Sequence, residues 1–183
     1  ICYYRPDNKF PSRVFGGAAK SINNLKGCSL DSFAYLHFDR RNQSIRTLPD
    51  NWRISEIQPE DLQELSDFYE YTSGGLMLEA IDLKPEKMDS SDLSEEYRQL
   101  GLTRMRHVFS LKNNGQLKAI LLANQSDIGL NLSDITNCVK VFVTDKTEFS
   151  ADILQAAIAK VADITGKEDF PALLYPSAFA DER

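Results

Sequence analysis

Metal-binding side chains are scarce in this chain of 183 residues, which has two histidines, His37 and His107, and three cysteines, Cys2, Cys28 and Cys138. No Cys-x-x-Cys pair occurs and the histidines have no ligand-like neighbours, so no metal site is expected. An odd number of unspaced cysteines makes no disulfide framework and fits a reduced, cytoplasmic protein. No apolar run is long enough to span a bilayer, and no signal peptide is visible. Basic residues are outnumbered, 21 Lys and Arg against 27 Asp and Glu, for a net charge of −6. Binding to nucleic acid or to anionic membranes rests mainly on basic contacts with phosphate, so neither is an expected partner of the chain as a whole. A local basic patch is compatible with that balance.

What is present is an ordinary globular mixture, 42% hydrophobic and 26% charged. That excludes wholesale disorder and suits one domain with a real core. The first residue is Ile1 rather than Met, which is expected of a domain of a longer protein or of a chain whose first residues are missing from the sequence. Pro6, Pro11 and Gly16-Gly17 interrupt residues 1–29, which are expected to be an irregular extension with a short helix closed at Gly27. Residues 30–183 are expected to form the domain.

Periodicity then sets out the elements. "CSLDSFAYLHFD" alternates Leu30, Ala34, Leu36 and Phe38 against Phe33, Tyr35 and His37, a strand with both faces partly covered. His37 reads as a hydrogen-bonded core or edge residue. Arg40, Arg41 and Arg46 lie in a polar, turn-rich stretch. "WRISEI" is a strand. "QPEDLQELSDFYEYT" is a helix with Pro59 at its first position, Glu60 and Asp61 at the positive end of its dipole, and Leu62, Leu65 and Tyr69 as its buried stripe. Ser73-Gly74-Gly75 follows as a flexible joint. "SDLSEEYRQLG" is a second helix, with Leu93, Tyr97 and Leu100 on one face and Gly101 ending it.

The strongest local signal is Asn113-Asn114-Gly115 between two strand-like runs, because Asn-Gly supplies the positive φ angles of a tight hairpin turn. "CVKVFVTD" alternates as a further strand. "SADILQAAIAKVADITG" is the best helix, capped by Ser150 and closed by Gly166, with Leu154, Ala157, Ile158 and Val161 inward. "FPALLYPS" is the last strand.

From Trp52 onward this succession of strand, helix, helix, strand, hairpin, strand, crossing helix and strand resembles the acyl-CoA N-acyltransferase (GNAT) fold. The resemblance covers about two-thirds of the chain and rests on the order of elements. It implies an α+β domain with a mixed, mainly antiparallel sheet flanked by helices. It also implies that the strands flanking the crossing helix splay apart to admit an acyl-CoA arm, held by backbone groups of Val141 and Val143 with Lys146 near the phosphates. A general base would be sought at Glu56 or Glu79. The family's pyrophosphate loop, [Q/R]-x-x-G-x-[G/A], falls where this chain has "KTEFSA", without glycine. Bare backbone lets phosphate oxygens approach several N–H groups, whereas here Glu148 and Asp152 oppose an anion and Ser150 caps one donor itself. Tyr175 does not occupy the place of the family's general-acid tyrosine and reads as core.

A second resemblance starts from "NQSDIG". Asn124, Ser126 and Gly129 match the [D/N]-x-S-x-x-G signature of PilZ domains, which bind cyclic di-GMP. The upstream RxxxR of that family is missing, since Arg104 and Arg106 lie two apart and Arg41 and Arg46 five apart. The expectation is therefore a GNAT-like domain of a larger bacterial protein, degenerate, acting as a structural, sensory or interaction module beside other domains of its parent chain, with no cofactor. The alternatives are an active acyl-CoA N-acyltransferase and a PilZ-like nucleotide-binding module.

Overall fold

The computed structural model describes residues 1–42, 47–87, 94–127, 135 and 137–178. The chain forms two compact units, Ile1–Asp31 with Leu62–Ser91, and Ser32–Asp61 with Asp92–Arg183. The second unit holds one six-stranded sheet built from β1 (Ala34–Asp39), β2 (Trp52–Glu56), β3 (Arg104–Asn113), β4 (Gln116–Ser126), β5 (Val139–Val143) and β6 (Asp169–Tyr175). The spatial order is β1-β6-β5-β4-β3-β2. Every neighbouring pair is antiparallel except β5 and β6, which run parallel. A parallel pair needs a crossover, and the helix α6 (Ala151–Thr165) supplies it. The succession from β2 to β6 is the GNAT-like, α+β arrangement that the resemblance implies.

Alternation builds the core. Ala119, Leu121 and Ala123 of β4 and Val139, Val141 and Val143 of β5 share one cluster with Leu154, Ala157, Ile158 and Val161 of α6. Ile120, Leu122, Phe142 and Leu173 point the other way and are equally buried. Each large apolar side chain buried there contributes about 1.5–3 kcal/mol relative to exposure. Ser150 caps α6 through the Ile153 N–H (3.3 Å), and Gly166 ends it in the left-handed region. The hairpin between β3 and β4 turns on Asn114 and Gly115 at φ 49° and 84°, the two positive values that a type I′ turn requires. Asp61 is buried, accepts the Gln58 N–H (3.2 Å) and meets the Lys112 ammonium at 2.6 Å, fixing the start of a helix after β2. On β1, Tyr35 and His37 are exposed, so only one face of that edge strand is covered.

The first unit is helical. It holds α1 (Lys9–Pro11), a π-helical segment (Ser12–Gly16), α2 (Gly17–Ile22), most of α3 (Pro59–Ser73) and α4 (Leu76–Ala80). Within the stretch read as irregular, Lys9–Ile22 is helical, and the stretch groups with Leu62–Ser91. Pro11 sits within the first turn, where a missing N–H costs little. Gly16 lies under the Tyr4 hydroxyl, which an added Cβ would meet at 3.6 Å. The helix stops at Asn23 (φ 46°), whose N–H bonds the Ala19 carbonyl, rather than at Gly27. Leu62, Leu65 and Tyr69 are buried along α3 as expected. Gly74 is no loose joint: its φ is +83°, and a Cβ there would lie 2.5 Å from the Leu25 Cβ. The short helix α5 (Ser94–Gln99) belongs to the sheet unit and ends near Gly101, but Leu100 after it is exposed.

Candidate functional site

The turn between β5 and α6 lies where the family resemblance puts an acyl-CoA pyrophosphate. Its backbone is drawn onto the hairpin strand β4, since the Thr144 and Asp145 N–H groups both donate to the Lys118 carbonyl (3.0 and 3.4 Å). The Asp145 carboxylate accepts the Thr147 N–H at 2.8 Å and the Lys118 ammonium at 2.5 Å. Lys118 itself is buried. The hydrogen bond from Lys118, aided by that from Thr147, holds the Asp145 pKa down at about 2. Further along, Phe149 donates its N–H to the Lys146 carbonyl (3.0 Å) and packs in the core beside Trp52, ring centroids 6.2 Å apart. Glu148 has a φ of 64°, and its carboxylate accepts from the Asn113 side chain, which in turn accepts from Asn51 at 2.6 Å. Three backbone donors that could serve an outside anion, those of Thr147, Phe149 and Ile153, thus serve groups of the chain, and two resident carboxylates sit in the turn.

The gap implied between the strands is also occupied. Pairing of β5 with β6 runs from Val139↔Ala172 through Val141↔Leu174 to Phe142↔Tyr175, one residue short of the end of β5. The Phe142 and Tyr175 rings stack at 5.0 Å and 19°, both buried, and Phe33 lies 5.3 Å from Tyr175. Tyr175 is core. Val141 and Val143 are fully buried and committed to the sheet, Val143 opposite Ala119 of β4. Lys146 is exposed beside them in the turn. Glu56 is exposed at the end of edge strand β2, opposite Phe109. Glu79 is exposed on α4 with Lys84 at 3.9 Å, in the helical unit. Both carboxylates are exposed and lack the burial that helps tune a general base.

The opposite end of the β5–β6 pair carries an opening of about 1040 Å³ including its open mouth, lined by Tyr35, His37, Ser126, Asn137, Lys167 and Asp169 among others. His37 Nε2 lies 3.0 Å from Asp169, and Lys167 donates to the Asn137 carbonyl at 3.2 Å. Of the PilZ-pattern residues, Ser126 lines this opening and Asn124 lines a small cavity beside it with His107, Cys138 and Lys167. Asn124 faces Arg106 in the β3–β4 register, and its buried Oδ1 has no hydrogen-bond partner among the described residues. The backbone of Ser126 is clasped from both sides by the Asn137 amide (2.8 and 2.9 Å), so it is held for structure. Gly129 lies outside the described residues. Lys140, read only as an alternating strand residue, is buried against the Cys138 sulfur (3.2 Å) and the Ile135 carbonyl (3.2 Å).

Among the described residues no group of three or more His, Cys, Asp or Glu could hold a metal, and no helix is long and apolar enough to cross a membrane. No protein-family model matches the chain, and no curated protein matches it. Among solved structures it is similar to a Drosophila protein from a structural genomics programme, with 11% identity and a TM-score of 0.42 over 92% of this chain and 51% of that one. It is also similar to a tandem GNAT protein from the clavulanic acid biosynthesis pathway, solved without AcCoA, with 7% identity and a TM-score of 0.40 over 95% of this chain and 51% of that one. The chain spans about half the length of both structures, and neither likeness bears on what it does.

Proposed function

We propose that this chain is a GNAT-like domain without acyl-CoA chemistry, acting as a structural or interaction module within a longer protein. The observation that carries the proposal is the state of the β5–α6 turn and the strand pair beside it. A pyrophosphate needs several unused N–H groups and no competing negative charge. Here the donors of Thr147, Phe149 and Ile153 are taken, and Asp145 and Glu148 bring carboxylates into the turn. An acyl-pantetheine arm needs two strands held apart, whereas Phe142 and Tyr175 close β5 on β6 with stacked, buried rings. Opening that pair would expose two aromatic side chains that together bury several hundred Å². Thermal unfolding with and without acetyl-CoA tests the reading, because a ligand that binds only the folded state raises the midpoint by mass action. No rise is expected at about 1 mM ligand. A rise of several degrees, together with transfer of an acyl group to an amine, establishes an acyltransferase instead.

A further inference from the structure

We propose that the helical segment Lys9–Ile22 docks on an anionic lipid surface. The segment has one satisfied side. Tyr4 packs against Phe15, with ring centroids 6.1 Å apart, Ser12 donates to the Pro6 carbonyl at 2.9 Å, and Pro11 and Gly16 are buried. The segment still leaves large apolar side chains in solvent: Phe10 is 74% exposed, Ile22 52%, Val14 46% and even Phe15 41%, with Leu25 just beyond its end at 51%. A folded surface rarely presents so many together without a use for them.

Charge selects the occupant. Lys9, Arg13 and Lys20 are exposed along the same segment, and no acidic residue occurs between Asp7 and Asp31. Up to Asp31 the chain has five Lys and Arg against two Asp, the reverse of its total of 21 against 27. An amphipathic helix with cations beside Phe, Val and Ile is built to lie in a membrane interface, its apolar residues at the acyl boundary and its cations among the headgroups. The rest of the chain is net acidic and opposes such binding outside this segment. The net charge of −6 opposes an anionic surface for the chain as a whole, whereas this patch is basic. The inference is independent of whether the sheet unit binds acyl-CoA.

The test is co-sedimentation of the full chain with vesicles of phosphatidylcholine containing roughly one-third phosphatidylserine, beside vesicles of phosphatidylcholine alone. The chain is expected to pellet with the anionic vesicles only, and to be released at about 0.5 M salt. Phe10→Ser with Val14→Ser, and separately Lys9→Glu with Arg13→Glu, should each lower the bound fraction about tenfold. Their far-UV circular dichroism should match the parent, since all four side chains are exposed. No binding to anionic vesicles, equal binding to neutral ones, or unchanged binding by both variants overturns the proposal. So does retention on polyglutamate without retention on vesicles, which makes the partner a protein, or a concentration-dependent dimer lost in the Phe10 variant, which makes it a second copy.

Discussion

Replacing Asp145 by Asn removes the counter-charge that holds the turn before α6 onto the hairpin. Lys118 is 3% exposed and has the Asp145 carboxylate at 2.5 Å, while the carboxylate itself is 41% exposed. The gap between the ordinary 3.8 and the folded value of about 2 corresponds to about 2.4 kcal/mol of preference for the charged form. Solvent around the exposed side screens the pair, so roughly 1 kcal/mol of it is expected to appear as stability. The folded pKa lies below the unfolded one, so this contribution is complete above about pH 4 and is lost as pH falls toward 2. Asn also leaves the Lys118 ammonium buried without an anion, which raises the total cost at neutral pH to about 1–3 kcal/mol. Trp52, the one tryptophan, is buried in the sheet unit, so its fluorescence reports urea unfolding of that unit. At a slope of about 1.5 kcal/mol per molar urea, a loss of ~2 kcal/mol moves the midpoint by about 1 M. The gap between parent and variant should narrow between about pH 4 and 2. Adding Lys118→Met to the variant should restore much of the loss, because a pair of apolar or neutral groups is better than one unpaired charge. An Asp145→Asn midpoint equal to the parent's at pH 7, or a gap that is the same at both ends of that pH window, refutes the reasoning.

Three further substitutions probe other parts of the fold. Leu154→Ala opens a cavity between α6 and the sheet and should cost about 2–4 kcal/mol in the same urea experiment. Ser150→Ala removes the cap on the Ile153 N–H and should cost about 1 kcal/mol, with Ser150→Asp close to the parent. Gly74→Ala forces a Cβ into Leu25 at a positive φ and should cost about 2 kcal/mol or more. Because it lies in the helical unit, it should be read as faster proteolysis near the end of α3 rather than by Trp52 fluorescence.

Local chemistry was legible in the sequence and long-range pairing was not. Asn114-Gly115 and Ser150 announce their turn and cap because the conformations depend on those residues alone. The alternation in "CVKVFVTD" likewise places Val139, Val141 and Val143 against α6. The antiparallel partnership of β1 with β6 joins residues more than a hundred apart, which no local pattern encodes. At the site, the missing glycines in "KTEFSA" showed that the turn departs from the family, but not what replaces them. Lys118 interrupts the apolar run of β4, the one visible sign of a buried cation in need of Asp145. The helix over Lys9–Ile22 was obscured by Pro11 and Gly16-Gly17, which act as breakers only when packing does not compensate.

Calorimetric titration with acetyl-CoA is the most direct measurement of whether the turn and the closed β5–β6 pair exclude the ligand. The geometry predicts no affinity tighter than about 1 mM, or roughly −4 kcal/mol. Glu148→Gly with Asp152→Gly should improve it only modestly, since the Asp145–Lys118 contact and the stacked Phe142 and Tyr175 rings remain. Micromolar binding of acetyl-CoA by the parent chain would contradict the account and make this turn a working acyl-CoA site.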